Sequence, residues 1–187
     1  MKDETRGVRA VLDDRERDFM LSVTRVKMKS SLENIDLGDY KIDGVKEGES
    51  VEFPRWIADE LVRMNMADAT EEPFETEIVK ALSREKMMGP LQMSPLAGDF
   101  YVKMRRRLAY LEGAVKEGRF KREENERIRA SSYDLIGMRL SKLLSLSSSS
   151  ASAASLGDKL TAEEKAFFST SQAASKEWRE AILGGGT

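Results

Sequence analysis

The second half of the chain is constrained most by apolar residues that recur at helical spacing. In the first stripe, Phe100, Met104, Leu108, Leu111 and Val115 follow one another every three or four residues over about four turns. Two more stripes follow, formed by Ile128, Leu135, Ile136, Leu140, Leu143 and Leu144, and then by Phe167, Ala174, Trp178 and Ile182. Long amphipathic helices bury their apolar faces against one another, so residues 99–187 are predicted to form an all-α helical bundle.

Local signals predict where these helices begin and end. Asp99 is suited to the start of the first helix and Gly118 to its end, while the second runs from about Lys121 to Leu146. The third begins with a capping box, Thr161-Ala-Glu-Glu164, and ends at a glycine run, Gly184–Gly186. The serine-rich run 145–155 between them is either a frayed helix end or a flexible loop.

Residues 19–69 predict a small β-rich domain with one covering helix. Apolar residues alternate imperfectly over Phe19–Met28, and short apolar pieces follow between turn signals such as Asp43-Gly44. A helix begins at Pro54, where a missing N–H group costs nothing. We expect this helix to be anchored on the sheet by Pro54, Trp56, Ile57 and Leu61. The predicted fold class is therefore α+β, with the small domain followed by the larger helical one.

The remaining segments are predicted to connect or to extend these domains. Residues 1–18 are highly charged without sustained periodicity, which indicates a mobile N-terminal arm. Residues 70–98 read as a linker with a connecting helix, because helical spacing over Phe74–Met88 follows an acidic, proline-containing stretch and ends at Gly89-Pro90.

Composition removes much enzyme chemistry. The chain has no cysteine and no histidine, which excludes disulfides, thiolate nucleophiles, Cys/His zinc sites and histidine-based catalysis. Carboxylate and lysine chemistry stays open, but no motif places such groups together, so we expect no catalytic residue, metal or cofactor. Apolar runs stay below the roughly 20 residues that span a bilayer, and an apolar signal core is missing, so a cytoplasmic protein without membrane contact is expected.

Charge is distributed unevenly along the chain. Residues 31–80 hold 14 acidic and 5 basic residues, a net −9, whereas residues 99–142 hold 12 basic and 7 acidic residues, a net +5. The basic residues that could contact DNA phosphates or an acidic partner are Arg105, Arg106, Arg107, Arg119, Lys121 and Arg122. Ordinary solvation and pairing within the helices explain the same residues without a partner.

The helical stripes carry more apolar surface than a few helices can bury among themselves. Tyr101, Leu135 and Met138 lie off the main stripes, so their helices are apolar on more than one face. Some of this surface is therefore expected to meet another subunit. The predicted interface consists of Phe100, Tyr101, Met104, Leu108, Leu111, Leu135, Met138, Leu140 and Leu143.

Three segments resemble archaeal subunits of GINS, the four-subunit assembly of the replicative helicase. VEFPRWIADELVRMNM (51–66) is similar to the small β-rich domain of that family, and GDFYVKMRRRLAYL (98–111) to the helix that opens its helical domain. The third segment, RLSKLLSL followed by LTAEEKAFF, resembles the later helices. The order of the domains resembles the archaeal subunit type called 23, while the later helices look more like the type called 51.

The resemblance implies a non-catalytic structural subunit in DNA replication. It implies a tetramer of like or paired GINS subunits, with the helical domains at its centre and the small domains outside. Those small domains would contact the MCM helicase motor or a RecJ-family protein, in the cytoplasm at the nucleoid. The alternative from the residues themselves is a basic helical module that binds nucleic acid.

Overall fold

A computed structural model describes residues 7–36, 38, 41–149, 156 and 159–184. The helices are α1 (Val8–Leu21), α2 (Arg55–Arg63), α3 (Phe74–Met87), α4 (Phe100–Lys116), α5 (Arg122–Ser148) and α6 (Ala162–Leu183). The strands are β1 (Val23–Met28), β2 (Ile35–Asp36), β3 (Lys41–Ile42), β4 (Ser50–Pro54) and β5 (Ala67–Ala69). The predicted α+β class, a small sheet region followed by a helical bundle, is confirmed.

The chain divides into two compact units. The small unit is residues 16–72, and the helical unit combines residues 73–187 with the segment up to Arg15, so that the division falls within α1. The connecting helix predicted within residues 70–98 is α3, which belongs to the helical unit and contributes Ile78 and Leu82 to its core.

The small unit is an antiparallel sheet covered by α2. Its strand order is β4-β1-β5, and Val26 of β1 lies opposite Val51 on one side and Ala69 on the other. Burial alternates along β1, as expected for a strand with one face on the core. Ile57 and Leu61 of α2 are buried against this face. β2 and β3 form a separate two-stranded ribbon.

Two expectations about the first 70 residues are wrong. Residues 8–18 belong to α1 instead of a mobile arm, and Phe19 and Leu21 extend that helix instead of starting the strand, which begins at Val23. Arginine, leucine and glutamate favour helices, and this intrinsic preference outweighs the short alternation that suggested a strand. Residues 1–6 of the predicted arm lie outside the described part of the chain.

Trp56 is also less of an anchor than predicted. Its side chain is 40% exposed, while Ile57 and Leu61 are buried and Pro54 is partly buried. In a nine-residue helix the positions 57 and 61 share one face, and residue 56 points about 100° away from residue 57. Trp56 therefore lies at the edge of the covered face.

The helical unit is built around α5, which packs against α3, α4 and α6. One cluster of the core joins Ile78, Phe100 and Leu135, and another joins Met93, Leu143 and Phe168. The predicted capping box at Thr161 and Glu164 is confirmed, as is the left-handed glycine Gly184 (φ +67°) that ends α6. α5 extends to Ser148, and residues 150–155 of the serine-rich run lie outside the described residues.

Because Phe168 is buried, truncation of its side chain should lower the stability of the helical unit. Phe168 is fully buried, so Phe168→Ala leaves a cavity in the core, and the free energy of unfolding should fall by about 3–5 kcal/mol. Met87→Ala shortens a side chain at the exposed end of α3, where Met87 is 85% exposed, and should cost about 0.5 kcal/mol or less. Urea titration followed by circular dichroism measures both, and equal losses would contradict this description of the core.

Candidate functional site

Four charged side chains are buried together in the helical unit. Glu85 lies on α3, Arg139 and Lys142 on α5, and Glu164 at the start of α6. None of these four side chains is more than 9% exposed. Charges taken out of water this fully are tolerated only when each is paired and hydrogen-bonded, so the geometry of this buried network determines whether it holds the helices together.

The guanidinium of Arg139 lies between the two carboxylates. Its Nη1 donates to Glu85 Oε2 at 2.7 Å and to the carbonyl oxygen of Ser94 at 2.8 Å. Its Nη2 donates to Glu164 Oε2 at 2.8 Å, while Nε donates to Glu164 Oε1. The fork of N–H groups thus joins α3 and α6 through one side chain of α5, with the two-point geometry that makes arginine–carboxylate pairs strong.

Lys142 completes the pairing of Glu85. Its Nζ donates to Glu85 Oε1 at 2.7 Å and to the carbonyl oxygen of Gln92 at 3.0 Å, and Ser94 Oγ donates to Glu85 Oε2 at 2.7 Å. Burial acts most strongly on the pKa of Glu85 and raises it, but the hydrogen bonds from Lys142 and Ser94 and the charge of Arg139 together bring it below its ordinary value. Glu85 is therefore ionised in the folded protein.

Glu164 serves the helix and the network at once. Its Oε2 accepts from the backbone N–H of Thr161 at 3.0 Å as half of the capping box, and its Oε1 accepts from the hydroxyl of Tyr101 at 2.6 Å. Burial, and then the charge of Glu164, raise the pKa of Tyr101 far above its ordinary value. The charges of Glu85 and Glu164 balance those of Arg139 and Lys142, so the network is neutral and fully engaged. Its groups position helices, and no acid or base in it is left to act on a substrate.

An open groove of about 290 Å³ lies beside the network on the helical unit. Its walls are almost entirely apolar and include Leu12 of α1, Met104 of α4, Leu140 of α5 and Phe167 of α6. Glu163 also lines it, with only 5% of the residue exposed. Both carboxylate oxygens of Glu163 are buried without a hydrogen-bond partner within the described part of the chain. This carboxylate differs sharply from that of its neighbour Glu164.

The structure divides the predicted interface residues into three groups. Five are buried within the chain itself, namely Phe100, Met104, Leu111, Leu135 and Leu143. Three are partly buried, namely Tyr101, Leu108 and Met138. Leu140 is exposed. Tyr101, Met104, Leu140 and Leu143 come together as parts of the groove wall.

The six predicted basic contacts lie on α4 and around the turn from α4 to α5. Arg105, Arg106 and Arg107 point in successive directions around α4, and Arg119, Lys121 and Arg122 lie beyond its end. Arg107 pairs with Glu75 at 2.6 Å, Arg105 with Asp13 at 3.6 Å, and Arg122 with Glu126 at 3.7 Å. Arg119 pairs with Glu117. Four of the six residues therefore lie beside an acidic side chain, which weakens the attraction of this region for phosphate groups.

Sequence reasoning missed the buried network. Its only signal was that Arg139 and Lys142 share a helix face with the apolar residues Leu135 and Leu143, at spacings of three and four. Long basic side chains at such positions usually reach past the core into solvent, so the spacing alone did not predict burial. Within the described residues, no group of three or more acids could hold a metal ion, and no helix is long and apolar enough to cross a membrane.

A family model, Sld5, described as the GINS complex protein helical bundle domain, matches residues 56–183. The match covers more than half of the chain, from α2 to the end of α6. The chain belongs to the GINS family. As a GINS protein it is a subunit of the GINS complex of DNA replication, which assembles with other GINS subunits, and members of this family are structural, non-enzymatic subunits. No curated protein matches the chain.

The buried network of this GINS subunit predicts a large effect of a single substitution. Arg139→Leu would leave two buried carboxylates without their shared cation, and the free energy of unfolding should fall by about 3–5 kcal/mol. Arg129→Leu is the matched control, because Arg129 makes only a surface pair with Glu112 at 3.6 Å, and it should cost less than about 1 kcal/mol. Chemical denaturation of both variants measures the difference, and similar losses would show that the network does not stabilise the fold.

Tyr101 predicts a loss of stability at alkaline pH. Its pKa in the folded state is raised above the ordinary value of 10.0, so the hydroxyl stays protonated in the folded chain while it ionises in the unfolded one. This contribution is fully present below pH 10 and is lost as the pH rises further. The stability advantage of the wild type over Tyr101→Phe should therefore shrink between pH ~9 and ~11, which is about one unit on either side of the ordinary pKa of tyrosine. Denaturant unfolding at several pH values measures this difference. A difference that stays constant over this range would contradict the raised pKa of this buried hydroxyl beside Glu164.

Proposed function

We propose that this GINS subunit is a non-catalytic scaffold of a tetramer that bridges the MCM motor and a RecJ-family protein at the replication fork. The observation that carries the assembly role is an apolar seam on α5. Tyr133, Ile136, Leu140 and Leu144 follow at intervals of three, four and four residues, and they are 38–64% exposed. Such a spacing places them on one side of the helix, as in the seams by which helices of different subunits pack.

The seam is separate from the face that α5 uses inside its own chain. The buried residues of α5 include Leu135, Arg139 and Leu143, and the centre of the seam lies about 100° around the helix from that face. A helix that is apolar on two faces buries one in its own unit and needs a second surface for the other. This need supports assembly through the helical unit.

The two units differ in charge, which supports different partners for each. Most of the small unit falls in the acidic segment with a net −9 over residues 31–80, whereas the helical unit contains the basic segment with a net +5 over residues 99–142. In the proposed assembly the helical units form the centre, and the small units contact the motor and the RecJ-family protein. The order of the two units supports an archaeal subunit of the type called 23. A replication-fork role would place it in the cytoplasm at the nucleoid. Direct contact with DNA is not favoured, because most of the basic residues considered above face acids of the same chain.

The seam predicts the behaviour of the protein in solution. The wild type, alone or with another GINS subunit, should elute as a tetramer, which for the chain alone is four times the 21.0 kDa of one chain. Leu144→Glu places a charge in the seam and should reduce the mass measured by light scattering, with an unchanged far-UV spectrum. Val79→Glu is the control, because Val79 is a similarly exposed apolar residue on α3. A wild type that is monomeric at about 10 μM, both alone and with the other subunit, would refute the proposal (about 10 μM lies well above the Kd of a stable complex).

A further inference from the structure

Glu163 is a buried carboxylate that the described part of the chain leaves without a hydrogen bond. It is the second residue of α6, and only 5% of it is exposed. Its two carboxylate oxygens have no hydrogen-bond donor among the described residues. A desolvated carboxylate without a donor destabilises the folded chain. The position near the N-terminus of α6 is favourable for a negative charge, but that effect is small compared with the loss of water.

The cations of the groove are already engaged by other groups. Arg139 is bound to Glu85 and Glu164. Arg105 lines the same groove, but its side chain is 54% exposed and lies 3.6 Å from Asp13. The remaining walls are apolar, so the groove fits a segment that brings both apolar side chains and one cation.

The other end of α6 has this chemistry. Trp178, Ile182 and Leu183 are 65–80% exposed, and Arg179 lies between them in the sequence. Arg179 donates to the carbonyl oxygens of Ser175 and Ser148, and within the described residues no carboxylate lies within ion-pair distance of it. Trp178 and Arg179 are four and three residues before Ile182, so all three share one side of the helix.

This end of α6 cannot reach the groove of its own chain. Glu163 and Ile182 are 19 residues apart on one continuous helix, which separates them by roughly 28 Å. An α6 end that fills the groove must therefore come from another molecule. An antiparallel pair of α6 helices that sets Glu163 of one copy opposite Ile182 of the other also sets Phe167 opposite Trp178, because each lies four residues further in. Small residues at the centre, Ser171 and Ala174, would face each other and allow the helices to approach.

We infer that the groove is the docking site for the α6 end of a second copy of this chain. Arg179 of the second copy pairs with Glu163, and its Trp178 and Ile182 lie against Phe167 and the apolar wall. The arrangement is reciprocal, since each copy offers both a groove and a helix end, as a twofold interface requires. The inference rests on the proposed assembly role, because it names one of the contacts through which the complex forms.

Exchange of the two charges tests the contact. Arg179→Glu puts two carboxylates together and should weaken self-association about 10- to 100-fold in analytical ultracentrifugation, without unfolding, because Arg179 is exposed. The double variant Glu163→Arg with Arg179→Glu restores an opposite-charge pair and should recover most of the affinity. Lys80→Glu is the matched control, because Lys80 is an exposed cation on α3, outside both the groove and the end of α6, and the affinity of this variant should stay near that of the wild type. Equal effects of Arg179→Glu and Lys80→Glu would overturn the inference.

Glu163→Gln provides a second measurement that does not depend on the double variant. The substitution removes an unpaired charge from the separated chain, so the melting temperature of dilute, dissociated protein should rise while self-association weakens. A lower melting temperature would show that a cation of the same chain, such as Arg105, satisfies Glu163, and would overturn the inference.

The same experiments separate this inference from the proposed function. If the wild type self-associates and Arg179→Glu has no effect, the groove contact is wrong while the assembly role stands. If the wild type does not self-associate but joins another GINS subunit, the second copy is the wrong occupant and the assembly role again stands. If neither association occurs, the proposed function itself fails.

Discussion

The fold of the helical unit depends on one buried guanidinium. Arg139 pairs with Glu85 on α3 and with Glu164 on α6. Its side chain is 1% exposed, so water cannot replace either carboxylate as a hydrogen-bond partner. A buried charge stabilises a fold only when every neighbour is in place, so this group favours one arrangement of three helices over others of similar apolar packing. Lys142 also holds the segment after α3 in place, because its Nζ donates to the carbonyl oxygen of Gln92.

The position of Arg139 also determines which side of α5 faces outward. Turning α5 by a single residue moves each side chain by about 100°, which would bring the seam of Tyr133, Leu140 and Leu144 inward and expose the guanidinium. Apolar packing alone would tolerate such a turn, because both faces are apolar. The ion pairs would not, since two carboxylates would lose their cation. The outward position of the seam that is proposed for assembly is thus a consequence of the buried charges.

The parts of this fold that were predictable are those with local causes. The helix over Phe100–Lys116 and the capping box at Thr161 follow from spacing and from a short motif, and the structure has both. The burial of Arg139 has no local cause, because it needs Glu85, 54 residues away, and Glu164, 25 residues away. Tyr101 was predicted as an interface residue because it lies off its stripe, and in the structure its hydroxyl donates to Glu164. The N-terminal helix α1 was missed because its apolar residues are too few to give a clear period.

Glu163 and Glu164 are adjacent, carry the same side chain and share the same helix start, yet within the described residues only Glu164 has hydrogen-bond partners. The helix dipole acts on both, so the difference between them lies in what surrounds them. An apolar residue at position 163 would match the groove wall and would stabilise the separate chain. It would also accept any apolar segment, whereas a carboxylate at that place admits only a segment with a cation and excludes the rest. An unsatisfied charge inside an apolar groove therefore favours specificity over stability, which is what a subunit that must select its neighbours requires.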